Sequence, residues 1–117
     1  TGLAAVDRLT SGGGRPGELW VIGARPSMGK TAMVLHLGRY VGRSLGVLML
    51  TQEDSKSSLV ARHVAAAGRV NLSAIRSPQH VPKPQQDAMW SGVSDGVDLL
   101  KDLSVWLDDQ PGLTLMD

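Results

Sequence analysis

Lys30 and Thr31 are the residues best placed for phosphate chemistry, because of what surrounds them. They close the run Ala24-Arg25-Pro26-Ser27-Met28-Gly29-Lys30-Thr31. It follows the apolar stretch Leu19-Trp20-Val21-Ile22 and leads into a helical pattern over 31–43. Strand, loop and helix in that order are what a nucleoside-triphosphate site needs. The loop must bend so that several backbone N–H groups point at one anion. Gly29 lets the backbone come close to phosphate, where a Cβ would intrude. Lys30 sets a cation against the β- and γ-phosphates, and Thr31 offers a hydroxyl to the Mg²⁺ they carry. The helix behind the loop adds its positive end. The strict pattern opens on Gly; here Ala24 stands first and Gly23 lies one residue early, so the fit requires a position 24 without positive φ.

Two acids follow apolar stretches. Glu53 comes just after Val47-Leu48-Met49-Leu50-Thr51. A carboxylate there orients, or takes a proton from, the water that attacks a γ-phosphate. The alternatives are a solvent-facing acid, or one that complements the next helix's dipole. Asp54 reads as the better helix cap. Asp108 follows Leu103-Ser104-Val105-Trp106-Leu107 and has two readings: a Mg²⁺-associated strand-end acid, or a turn residue opening Asp-Asp-Gln-Pro-Gly. His63 sits at a core position of a helix and reads as a packed histidine, while His36 and His80 lack metal-site partners. Arg62, Arg69 and Arg76, seven apart, read first as a solvated face, with a subunit contact or a DNA-facing role as the alternative.

These residues need elements to hold them. Leu3, Val6 and Leu9 suggest a short helix in an irregular lead-in, residues 1–18, which ends in a Pro16-Gly17 turn. Residues 19–24 read as a strand buried on both faces, because the run is continuously apolar. The helix over 31–43 carries the stripe Val34, Leu37, Val41 and Leu45. Residues 47–51 are the second strand. Ser55 caps a helix to about Ala67, with Leu59, Val60, His63, Val64 and Ala67 inward. Asn71 or Ser77 caps or breaks a short helix over 72–76, and Pro78, Pro82 and Pro84 mark a loop. Residues 85–102 form a weaker helix, because Gly92 and Gly96 each lower its intrinsic stability by roughly 1 kcal/mol relative to Ala. A third strand spans 103–107, and Thr114-Leu115-Met116-Asp117 begins another helix, so a fragment of something longer is expected. Alternation of strands and helices predicts an α/β fold with a parallel sheet flanked by helices. The loop, Glu53 and Asp108 then share the carboxyl ends of the strands, where such sheets hold ligands.

Composition bounds the rest. The 117 residues make one domain at most, 42% apolar, with a core of aliphatic residues and Met because there is no Phe and only three Trp and one Tyr. A net charge of +1 neither argues for nor excludes a local basic patch. No apolar run approaches the roughly 20 residues that span a bilayer, no signal peptide is read, and no membrane is implied as a partner. The absence of Cys excludes disulfides and fits a reducing, cytoplasmic compartment.

The run Ala24-Arg25-Pro26-Ser27-Met28-Gly29-Lys30-Thr31 resembles the corresponding loop of the DnaB-type replicative DNA helicases. So do the segments Thr1-Gly2-Leu3, Asp7-Arg8-Leu9-Thr10, Arg15-Pro16-Gly17-Glu18-Leu19 and Asp108-Asp109-Gln110-Pro111-Gly112-Leu113-Thr114. The resemblance also accounts for Ala24, and it thins over 70–102. It implies that residues 1–117 are the N-terminal part of a RecA-like P-loop ATPase domain, truncated, with 19–117 as its strand–helix core. Implied too are a homo-hexamer that hydrolyses ATP or another NTP with Mg²⁺ at its interfaces, and movement along single-stranded DNA through segments absent here. Primase and a helicase loader are the further partners it implies. Ala24 to Thr31 would hold the nucleotide, Thr31 the Mg²⁺ through it, and Lys30 and Glu53 would be catalytic. Asp108 does not match the family's Mg²⁺-associated aspartate, which lies on a later strand. The chain departs from the family in having Gln52 and Asp54 where Leu and Met usually flank the glutamate. It also stops before the later strand, the DNA-binding loops and the arginine finger. A non-catalytic nucleotide-binding or assembly module, and another RecA-like ATPase such as a recombinase, are the alternatives.

Overall fold

A computed structural model describes residues 1–112; the expected helix start at 114–117 lies outside them. The elements are α1 (Ala4–Leu9), α2 (Lys30–Val41), β1 (Val47–Leu50), α3 (Lys56–Gly68), α4 (Leu72–Arg76), a 3₁₀ turn (Pro78–His80), α5 (Lys83–Leu100) and β2 (Val105–Asp108). β1 and β2 pair in parallel, Val47 opposite Val105 through Leu50 opposite Asp108. The ladder is extended by Val47 N–H donating to Ser104 O at 2.8 Å and Thr51 N–H to Asp108 O at 2.9 Å.

Local chemistry accounts for the helix ends. The Ser55 hydroxyl accepts the N–H of Ser58 and caps α3, and the Asn71 side chain accepts that of Ser73 and caps α4. Pro84 falls in the first turn of α5, where its missing N–H has no helical partner to lose. The proline loop is therefore shorter than expected: its first part is the 3₁₀ turn, and its last prolines launch α5. The lead-in behaves as its pattern predicts, with α1 followed by a turn in which Glu18 N–H donates to Arg15 O at 3.1 Å.

The core lies where α2, α3 and α5 meet, around Leu35, Leu59, Val64, Ala65 and Met89. α3 and α5 cross closely through Gly68, Gly92 and Gly96. A Cβ on Gly68 would collide with the Gly92 carbonyl, and one on Gly96 would stand 2.8 Å from Val64 O. The glycines that weaken α5 as an isolated helix are thus what allows it to dock.

Three expectations are corrected. Residues 19–24 form no strand and pair with none among the described residues, leaving Leu19 and Val21 89% and 86% exposed. A continuous apolar run specifies a strand only when a neighbour supplies the other half of the ladder. α2 covers one face of the two-stranded sheet, where Gly38 and the C-cap Gly42 abut Met49 and Val105; Leu48, Leu50 and Trp106 on the other face are exposed. The α2 stripe is rotated. Leu35 and Gly38 are its buried residues, and with Val34, Leu37 and Val41 they line an open groove of about 720 Å³ that also involves Trp20, Ile22 and β1. The radius of gyration, 16.0 Å, exceeds the about 13 Å of a close-packed chain of this length, as that groove requires.

Candidate functional site

The loop 24–29 meets α2 without the devices that start α3 and α4. Gly29 occupies the N-cap position and offers no side-chain cap, no acid lies in the first turn, and the first helical residue is a cation, Lys30. Helix starts ordinarily favour acids, so Lys30 works against the dipole there. The first intrahelical bond runs from Met33 N–H to Gly29 O at 2.9 Å, which leaves the N–H groups of Lys30, Thr31 and Ala32 without an i−4 carbonyl. Gly29 has φ +89°, and a Cβ there would project into open space. Ser27 also has positive φ, +63°, a left-handed conformation that costs a non-glycine residue about 1–2 kcal/mol. Alternation of left- and right-handed residues turns successive N–H groups into a concavity suited to an anion. Sequence reasoning missed Ser27 as a strained position. Ala24 carries no positive φ, so the Ala at the head of the loop meets its requirement.

A cavity of about 550 Å³ opens at this helix start. Ala24, Arg25, Pro26, Ser27, Gly29, Lys30 and Thr31 line it from the loop side, and Glu53 and Asp54 from the end of β1. Lys30, Thr31 and Glu53, which come from two separate segments, thus line the same cavity. Met28 is the one loop residue absent from its lining; its side chain is 72% exposed.

The turn that carries Glu53 is held from two sides. The Thr51 hydroxyl donates to Asp54 O at 3.1 Å and accepts Asp54 N–H at 3.2 Å. Beyond it, the Asp109 carboxylate accepts the N–H of Lys56, the first residue of α3, at 2.7 Å. Asp54 is not the helix cap expected of it, because Ser55 takes that place. Its carboxylate lies 3.5 Å from an Nη2 of Arg62. The three arginines therefore do not form one solvated face: Arg62 lines the cavity, Arg69 is the left-handed C-cap of α3, and Arg76 donates to Ser58 Oγ at 3.2 Å.

Asp108 stands outside the cavity, and its carboxylate accepts Gln110 N–H at 3.0 Å, a turn role. His63 is packed, 6% exposed. Its Nδ1 lies 3.2 Å from Arg39 Nη1. Guanidinium only donates, so Nδ1 accepts and His63 is neutral with its proton on Nε2. Burial, then the Arg39 charge, lowers its pKa to about 4.

An α/β unit with a parallel strand pair, and with a cavity at the uncapped N-terminus of the helix behind a glycine-containing loop, is the class of protein described so far. The chain matches the DnaB-like helicase C terminal domain over residues 1–117. It belongs to that family. It is 30% identical over 119 residues to the replicative DNA helicase DnaB of Geobacillus stearothermophilus, covering all of this chain and 25% of that protein. It is also 34% identical over 117 residues to the replicative DNA helicase DnaB of Buchnera aphidicola subsp. Schizaphis graminum, covering 97% of this chain and 24% of that one. The chain thus spans about a quarter of the length of these relatives.

Proposed function

We infer that this chain is the nucleotide-binding part of a RecA-like motor in a replicative DNA helicase, one that couples ATP hydrolysis to movement along single-stranded DNA and to duplex unwinding. The observation that carries the reading is the shared cavity: Lys30, Thr31 and Glu53 all line it, at a helix start that no side chain caps. Membership of the DnaB-like family supports it.

In this reading the N–H groups of the loop and of the first turn of α2 hold the phosphates. Lys30 neutralises the β- and γ-phosphate oxygens, and the Thr31 hydroxyl is the protein's ligand to Mg²⁺. The fit is chemical: a hydroxyl and a carboxylate face the same cavity, and hard oxygen donors suit Mg²⁺. Mg²⁺, when bound, offsets the charge that develops on the phosphoryl oxygens. Glu53 orients the attacking water and accepts its proton. The whole protein assembles as a hexamer in the cytoplasm and works with single-stranded DNA, a primase and a loader.

The test uses the protein that contains this chain. Glu53→Gln is expected to leave Mg·ATP binding within about twofold while lowering DNA-stimulated turnover by at least the roughly 10²-fold that a positioned base contributes. Turnover unaffected by Glu53→Gln overturns the catalytic assignment. Binding without any turnover in the unmutated protein points instead to a non-catalytic assembly module.

A further inference from the structure

The cavity wall holds an acid that a phosphate site would be better without. Asp54 lies beside Glu53, and the Thr51 hydroxyl bonds both its backbone N–H and its C=O, which holds the residue at the cavity. Its ionic partner is Arg62 of α3, at 3.5 Å, with the two side chains 25% and 34% exposed. Both line the cavity. The geometry follows from the helix: a long side chain leans toward its helix N-terminus, so Arg62 reaches back over the start of α3 to the acid that precedes the Ser55 cap. Facing the cavity are three cations, Arg25, Lys30 and Arg62, and two carboxylates, Glu53 and Asp54. Without Arg62, an incoming triphosphate would meet Asp54 as an acid stripped of its partner in a partly desolvated space, where like charges repel more strongly than in bulk water.

We propose that Arg62 is a charge-compensating residue of the nucleotide site, neutralising Asp54 so that a nucleoside triphosphate is accepted beside Glu53. The inference rests on reading the cavity as a nucleotide site. It differs from a direct phosphate contact, because Arg62 acts through Asp54. It also predicts a bias: if Glu53 orients the water that attacks the γ-phosphate, the neighbouring Asp54 bears most on that phosphate, so losing Arg62 harms triphosphate binding more than diphosphate binding.

The test is calorimetric titration of the protein that contains this chain with Mg·ATP and with Mg·ADP. The variants are Arg62→Ala, Asp54→Asn, the double variant and Lys30→Ala. Arg62→Ala is expected to weaken Mg·ATP by roughly five- to tenfold and Mg·ADP by less, on the scale of one uncompensated nearby charge. Adding Asp54→Asn to it restores Mg·ATP affinity to within about twofold of the parent. Asp54→Asn alone, which does not depend on Arg62→Ala folding, tightens Mg·ATP. An equal loss for both nucleotides with no rescue, or no loss with Arg62→Ala, overturns the proposal while the nucleotide site stands. Undiminished binding by Lys30→Ala overturns the nucleotide site itself, and the proposal with it.

Discussion

Asp109, one residue past the end of β2, accepts the backbone N–H of Lys56 at 2.7 Å and so ties the second strand to the start of α3. The bond spans 53 residues of chain and closes the loop that carries Glu53 and Asp54. A carboxylate on a first-turn N–H is a charge-assisted bond at the positive end of a helix. The accompanying ion pair to Lys56 Nζ, at 3.8 Å and half exposed, adds little. Asp109→Ala should lower stability by about 1–2 kcal/mol in urea unfolding, and Asp109→Asn by less, because the amide oxygen still accepts. Equal losses for the two variants would show that the bond does not hold the strand to the helix.

The crossing of α3 and α5 depends on glycines that cannot be enlarged. Gly68→Ala and Gly96→Ala each drive a methyl into backbone of the opposing helix. Backbone cannot step aside as a flexible side chain can, so a loss of about 1–3 kcal/mol is expected. Gly14→Ala is the control: its added methyl meets only Trp20 ring atoms at 3.6–3.8 Å, an ordinary contact, and no positive φ is involved. It should stay within about 0.5 kcal/mol. Thermal melts of the three variants check this, and a Gly68→Ala protein as stable as its parent would mean that the helices can separate freely.

His63 makes stability depend on pH. Its pKa is about 4 in the folded chain against an ordinary 6.5, so between those values the unfolded chain binds more protons. The contribution of His63 to stability is then fully present above about pH 6.5, falls as the pH drops through that window, and is lost below about 4. The size is on the order of 1–3 kcal/mol. Urea midpoints of the parent and of His63→Gln, compared from pH 7 to pH 4, should converge as the pH falls. Midpoints that stay parallel would show that His63 is not buried as a neutral base.

Much of this was legible because it is local. Ser55, Asn71 and the Pro16-Gly17 turn announce their elements within a few residues, and so does the loop before α2. What was not legible is what distant segments do to one another. Residues 19–24 have the composition of a buried strand but pair with nothing described, since a ladder is a property of two segments. Gly92 and Gly96 read as weak points of a helix, although their worth lies in an approach by Gly68 that no periodicity reveals. Arg62 fell into a seven-residue spacing with Arg69 and Arg76, and that regularity concealed three different tasks. Two turns of α3 and the side chain's lean toward the helix start bring Arg62 to Asp54, eight residues before it. Glu53 was legible as a candidate because a strand end is a local feature; its place in the same cavity as Lys30 and Thr31 was not.

The central claim is that the cavity at the start of α2 binds nucleotide. The most direct measurement is calorimetric titration with Mg·ATP of the protein that contains this chain, beside its Lys30→Ala variant. Removing the one cation at the helix start should weaken binding by at least about tenfold, since a charge-assisted contact to phosphate contributes roughly 1.5–3 kcal/mol, with the fold unchanged by circular dichroism. Binding of equal strength in the two proteins, or no binding in the parent, would contradict the account.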